Sequence, residues 1–503
     1  MTGSVLFPVL PYDPAETAES FARRLGQMHI GRDARWLLAD LGIGHREWLA
    51  GARDAVTALA TKAGVDTGVL MRGVFHRLQR YREFRGEAWS IDFVRGEGDR
   101  VCPECLREDA MAAEPWALKG RIAWRLRAVY TCPVHVCALI CSAPEAAPVE
   151  ASVFSLSAAM SGPDPVSQTP SPLETCIMRR LDGEPTGAGP WLDQQTIEQA
   201  ARACEMLGAT LTKGLNYHHK SLTDEDWRQV GAVGYEIARE GPEAVNEALG
   251  QIASMSTSTA GQAGPKAAYG RFYEWLAYTT PVVDLGPIKH LLREHILNTM
   301  IVEPDEVLLG QRVEGRRLHS VHSLSVATGL HRKRLRKIMV QAGFASNDSW
   351  DTAANRLVFP AAEAERLCRD VAGSVCLSRL PEAIGCSRTQ AESVFREGVI
   401  KSIVDGDEGV GIAKLAFAQD DVTRFLSHLE KLPIQAPAAG LIDVVSATKR
   451  TGRSTGEILG AVLAGGIPAC RVLGPVGVNT VRFRLPDLDP LRLRQPRVRK
   501  HPG

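Results

Sequence analysis

The sequence predicts a mainly α, multi-domain protein, and three observations predict it. Apolar residues recur at helical spacing over most of the chain, four residues of metal-ligating type stand at knuckle spacing between positions 102 and 135, and a helix-turn-helix pattern recurs three times in the last third. The expected architecture is an N-terminal helical region with a zinc-ribbon or zinc-finger module, a helical middle, and C-terminal tandem winged-helix-like helix-turn-helix units. A chain of 503 residues is too long for one core. Its 45% apolar and 23% charged residues are those of a globular protein. The net charge of +1 means that any nucleic-acid surface has to come from local clusters of Lys and Arg. Met1 to Pro14 lacks an export leader, and no run approaches the ~18 apolar residues of a membrane span. A cytoplasmic protein with no membrane contact is expected, and in reducing surroundings its 11 cysteines serve as metal ligands or core thiols.

In chain order, residues 1–100 read as helices, with Phe21, Leu25 and Met28 on one face and Trp48, Val56 and Leu59 on a second. A helix-turn-helix between Leu59 and Leu78, turning at Gly64 and burying Val69, Leu70 and Val74, competes with an ordinary helical hairpin. Residues 101–148 hold the cysteine cluster. Residues 149–190, rich in Ser, Pro, Gly and Thr, read as a linker, and 191–310 as a helical middle domain around Trp227, Val230, Val233, Ile237, Phe272, Trp275 and Leu276. Three copies of one unit follow at 318–373, 377–432 and 441–495, with a basic tail at 496–503. In each copy a turn glycine, Gly329, Gly385 or Gly452, precedes an apolar strand ending at Phe359, Phe417 or Phe483. The separations are 30, 32 and 31 residues. A closing acidic or helical segment completes a helix, turn, helix, strand, helix unit.

Cys102-Pro-Glu-Cys105 and Cys132-Pro-Val-His135, separated by a 26-residue insert, each let one tight turn present two donors. Cys102, Cys105, Cys132 and His135 together close a tetrahedron around one structural Zn2+ and leave no position for a reactive water. Cys137 and Cys141 lie close enough to replace His135 or to support it. His45-Arg-Glu47 with Cys102-Pro-Glu-Cys105 superficially resembles the zinc nucleobase deaminases, but Val101 stands where that pattern has proline and the gap is long. No His-Glu-x-x-His helix or phosphate loop is present, so an enzyme is not expected.

After Gly329 comes His331-Arg-Lys-Arg-Leu-Arg-Lys337. Leu335, Ile338 and Met339 would face a core, and Arg332, Lys333, Arg334, Arg336 and Lys337 would form the DNA-binding set, with Lys333, Arg336 and Lys337 sharing one face. The corresponding helices of the other copies are less basic, with Arg388 and Arg396 in one and Arg453 with Glu457 in the other, and protein contacts are the competing use for them. The tail from Leu491 carries Arg492, Arg494, Arg497, Arg499 and Lys500 with no acidic residue.

The segment Leu10-Pro-Tyr-Asp-Pro-Ala-Glu-Thr-Ala-Glu-Ser20-Phe, followed by Cys-Pro-x-Cys and Cys-Pro-x-His, resembles the TniQ family of transposon target-selection proteins. The resemblance covers roughly Phe7 to Pro144, with a looser match from Thr223 to Leu276. It implies a zinc core, helix-turn-helix units and a non-enzymatic adaptor that marks target DNA, directly or through a guide complex. It also implies an AAA+ regulator and a transposase as partners, and allows a homodimer. Many relatives carry a further cysteine pair where Cys141-Ser-Ala-Pro144 keeps one cysteine, which argues against a second zinc site. The alternative function is a zinc-containing helix-turn-helix transcriptional regulator outside any mobile element.

Overall fold

The computed structural model describes residues 5–96, 98–141, 159–257, 264–279, 284–345, 357–403, 416–436, 438 and 440–491. The protein is mainly α, with small sheets, and divides into two compact units, residues 1–298 with 307–312 and residues 299–306 with 313–503.

In the first unit, helix Ala18–Ile30 starts where the Thr17 hydroxyl accepts the Ser20 amide and ends at left-handed Gly31. It buries Phe21 and Leu25 in a core with Leu37, Leu38, Trp48, Val56 and Leu59. The second apolar stretch is two helices, His45–Ala50 and Arg53–Ala63, parted at left-handed Gly51. Gly64 ends the latter as expected, but the next helix, Thr67–Met71, stops after five residues. Leu70 and Val74 are buried, whereas Val69 is exposed. The chain leaves the helix at Gly73, where a Cβ would lie 2.1 Å from the Tyr12 hydroxyl and 3.0 Å from the Glu16 carbonyl. This corner lacks the long second helix that a groove-reading unit needs.

Residues 76–90, expected as helix, form an antiparallel meander of His76–Arg77, Tyr81–Phe84 and Glu87–Ser90. The last two strands turn at Arg85-Gly86, both with positive φ (50° and 84°), the backbone of a type I′ hairpin. Phe84 and Trp89 point inward, and Phe84 stacks on Phe75 with ring centroids 4.0 Å apart.

The stretch 149–190 is not only a linker. Residues 149–158 lie outside the described residues, but helix Pro172–Asp182 stands within it, begun by a reciprocal Ser171/Glu174 capping box with Pro172 in the first turn. Its buried Leu173, Cys176, Ile177 and Leu181 have helical spacing, masked in the sequence by the flanking prolines. In the helical middle, Ile197–Lys213 and Asp224–Ala238 meet backbone to backbone. A Cβ on Gly208 would lie 1.9 Å from the Val230 carbonyl, and one on Gly234 1.9 Å from that of Cys204.

The second unit contains the repeat, and each copy opens with a strand that the sequence did not announce. Copy one runs strand Leu318–Ser320, helix Val321–Thr328, Gly329, helix Arg332–Gln341, strand Val358–Pro360 and helix Ala361–Ala372, the two strands pairing antiparallel with His319 opposite Phe359. Copy two runs Val375–Cys376, Leu380–Ile384, Gly385, Arg388–Arg396, Ala416–Phe417 and Gln419–Glu430. Copy three runs Leu441–Asp443, Val444–Thr451, Gly452, Thr455–Leu463, a hairpin of Cys470–Arg471 with Val481–Arg484, and a 3-10 segment Leu485–Leu491. Copy one has a separate core of Leu324, Leu335, Met339 and Phe359, against which Ile403 of copy two packs. Copies two and three share a single core, from Leu380 and Phe417 to Ile458 and Phe483. The expected basic tail, 496–503, lies outside the described residues.

Candidate metal centre

Both cysteine turns are built the same way. Cys102 caps helix Pro103–Ala110, Pro103 occupies the first helical position, and the Cys105 amide donates to Cys102 Sγ at 3.4 Å. In the second turn the His135 amide donates to Cys132 Sγ at 3.5 Å. After Val136, whose φ is positive at 51°, the Cys132 amide donates to the Cys137 carbonyl at 2.8 Å and closes the loop. The antiparallel pair Arg100–Val101 with Ile140–Cys141 clamps the two turns together. Arg100 is wholly buried there, donating to the Arg127 and Val129 carbonyls and pairing with Asp224 at 2.7 Å.

The insert between the turns lies on the N-terminal helices. Arg23 and Arg24 donate to the Leu118 and Trp116 carbonyls, and the Gly120 amide donates to Ser20. Glu16, fully buried, accepts from Ser20 and pairs with Arg24 at 2.6 Å.

The result is one donor cluster. Cys102, Cys105, Cys132 and His135 bring their ligand atoms within 4.8 Å of one another. The Cys105 and Cys132 sulfurs are 3.7 Å apart, and His135 Nδ1 lies 3.6, 3.2 and 3.8 Å from the sulfurs of Cys102, Cys105 and Cys132. Metal bonds of about 2.3 Å to sulfur and 2.0–2.1 Å to nitrogen at the tetrahedral angle require about 3.8 Å between sulfurs and about 3.6 Å from sulfur to nitrogen. The donor set therefore has the chemistry and the spacing for a tetrahedral ion. Cys137 Sγ touches Cys102 Sγ at 3.5 Å but is not one of the four clustered donors. Cys141 is exposed and turns its thiol to Asp224.

Electrostatics favour a cation at this point. Hydrogen bonds from Cys105 and Cys132 pull the Cys102 thiol down to about 3, whereas the hydrogen bond to Cys102 pushes Cys105 well above its ordinary range. The opposite shifts of these two thiols reflect the crowding of sulfurs that a divalent cation would relieve. Behind the ligand, His135 Nε2 meets Glu108 Oε1 at 3.0 Å, so that Nδ1 faces the sulfurs. Burial lowers the His135 pKa, but the bonds to Glu108 and Cys132 outweigh it and the net shift is upward. Sequence reading missed Glu108. Its signal was its place one helical turn beyond Cys105, on the helix that the first knuckle begins.

His45 and Glu47 are not part of the cluster. The cationic residues singled out at 332–337 lie in the other unit, on helix Arg332–Gln341. Arg332, Lys333, Arg334 and Lys337 are exposed, Leu335, Ile338 and Met339 are buried, and Arg336 is half-buried, which removes it from the fully open face expected for it.

A helical domain that gathers three cysteines and a histidine at this spacing has a donor cluster that could hold one metal ion. Residues 7–139 match the TniQ family, so the chain carries a TniQ domain over about a quarter of its length, with all four donors inside it. At family level this is a domain of DNA-binding adaptors associated with transposition. No curated protein matches the chain. Among the described residues no helix is long and apolar enough to cross a membrane.

Proposed function

We propose that the protein is a non-catalytic adaptor in DNA transposition: it holds one structural Zn2+ through Cys102, Cys105, Cys132 and His135, binds target DNA, and recruits an AAA+ regulator and a transposase. The observation that carries this reading is the TniQ match, which spans a donor cluster with tetrahedral spacing. Four protein donors fill the shell of a zinc ion, so bound zinc would supply folding energy and leave no position for substrate. DNA contact is assigned to Arg332, Lys333, Arg334 and Lys337, with Arg336 behind them. Among the described residues no carboxylate pairs with the four exposed cations, and the helix contains no acidic residue.

The test is a tagged pull-down from cells carrying the native locus, with and without nuclease. An AAA+ ATPase retained after nuclease treatment supports direct recruitment. Neither ATPase nor transposase in either sample sinks the adaptor role. The second reading, a zinc-containing transcriptional regulator, is favoured by the basic helix lying outside the matched region. It requires bound operator sites and altered transcription with no transposase nearby.

A further inference from the structure

The three copies share one pattern of turn glycine and closing strand, which invites the picture of three helices entering successive major grooves, although the second and third are less basic. We infer that only copy one can present its second helix to DNA, because the corresponding helices of copies two and three, and the turn of copy two, are engaged between those two copies. This rests on the DNA-binding reading above and assigns it to one copy.

The post-turn helix of copy three, Thr455–Leu463, has no exposed residue along its whole length. One side is in its own core through Ile458, Leu459 and Val462. The other meets the post-turn helix of copy two, Arg388–Arg396. The Gly456 amide donates to Ser393 Oγ at 2.9 Å, and a Cβ on Gly456 would lie 2.4 Å from the Ser393 carbonyl. A helix-turn-helix reads bases with the N-terminal residues of its second helix. In copy three those residues are Thr455 and Gly456, both buried, followed by Glu457, which is tied to Arg453 at 2.8 Å.

Copy two is engaged in return at its turn. The Asn479 amide of copy three donates to the Gly385 carbonyl at 2.9 Å, and a Cβ on Gly385 would lie 3.2 Å from Gly477 Cα. The backbone that a groove-reading unit lays along the phosphates is therefore covered by the third copy's hairpin loop. What stays exposed on the second helix is Arg388, paired with Glu392 at 3.0 Å, and Thr389 and Arg396.

Copy one differs at each of these points. Among the described residues a Cβ on Gly329 would meet nothing within 4 Å, the next helix exposes four cations, and its core cluster is separate from the one that copies two and three share. Composition agrees with geometry. The enclosed helix carries one ionisable residue and three small ones, Gly456, Gly460 and Ala461, where the free helix carries Arg and Lys.

The experiment uses the full chain and a duplex DNA selected from its own genome, with affinity measured across a salt series. Charge reversal in copy one, Lys333→Glu with Lys337→Glu, is expected to weaken binding more than 10-fold and to make the salt slope shallower, and Lys→Arg at both sites to restore both. Reversal in copy two, Arg388→Glu with Arg396→Glu, is expected to change affinity less than 2-fold with the slope unchanged. Thermal melts confirm that these surface variants fold. Loss of binding in the copy-two variant comparable to that in copy one overturns the inference while leaving DNA binding intact. Absence of duplex binding by the wild-type chain overturns the DNA-binding reading, and this inference with it.

Discussion

Replacing Glu108 by Gln tests the centre at the one residue that sequence spacing overlooked. The change keeps an acceptor at the 3.0 Å contact to His135 Nε2 and removes only its charge. Carboxylates behind a metal-ligating histidine are worth about 10- to 100-fold in metal affinity. Glu108 has 61% of its side chain exposed, so water already screens much of its charge and the lower end applies. We expect Glu108→Gln to bind Zn2+ about 10-fold more weakly, equivalent to about 1.4 kcal/mol, with Glu108→Ala nearer 100-fold because the orienting bond is lost as well. The assay is competition for Zn2+ against a chromophoric chelator at fixed pH, with His135→Ala as the reference for complete loss of a ligand. Unchanged affinity in both Glu108 variants would refute the role given to this carboxylate, as would a loss in Glu108→Gln equal to that in His135→Ala.

Three further outcomes follow from the geometry. Lys333→Ala with Lys337→Ala should lower the slope of log affinity against log salt by about 1.8, at about 0.9 per lost phosphate contact; an unchanged slope removes the helix from the interface. Gly208→Ala should destabilise the first unit by about 1–3 kcal/mol, since its Cβ would sit 1.9 Å from the Val230 carbonyl and the helix pair has to separate; a melt equal to wild type would show that the contact yields freely. Burial raises the Glu19 carboxyl, but Arg125 and Arg77 outweigh it and hold the group below its ordinary 4.5. A depressed folded pKa adds stability that is present above the unfolded value and is lost as pH falls through the folded one. Glu19→Gln should therefore melt below wild type at pH 7, with the gap closing as the pH drops below about 4.5; a gap independent of pH would remove the charge from the explanation.

The division between what could be read ahead and what could not follows the range of the interactions. Local signals sufficed for the helix that buries Phe21 and Leu25 and for the turns at Gly64 and Gly329, because a cap, a left-handed glycine and a 3.6-residue period are properties of a few neighbouring residues. The meander at 76–90 was missed because Arg85 had to accept a positive φ, a position where Gly or Asn is the usual signal. Helix Pro172–Asp182 was missed because its flanks are rich in proline and serine, although its cap spelled the start.

Sequence spacing pointed to two knuckles and four donors, since two residues between ligands are enough for one turn to present both, but it left Cys137 and Cys141 as alternatives to His135; the structure gathers Cys102, Cys105, Cys132 and His135 within 4.8 Å. The sequence also determined that the helix after Gly329 is amphipathic and basic. Only tertiary packing placed Glu108 behind His135, left Cys137 beside the cluster and outside the four, and half-buried Arg336. The sequence had marked the second and third copies as less basic, but only packing showed what covers their helices. Whether a helix faces water or another helix depends on a partner distant along the chain, and for Gly456 that partner is Ser393, 63 residues away.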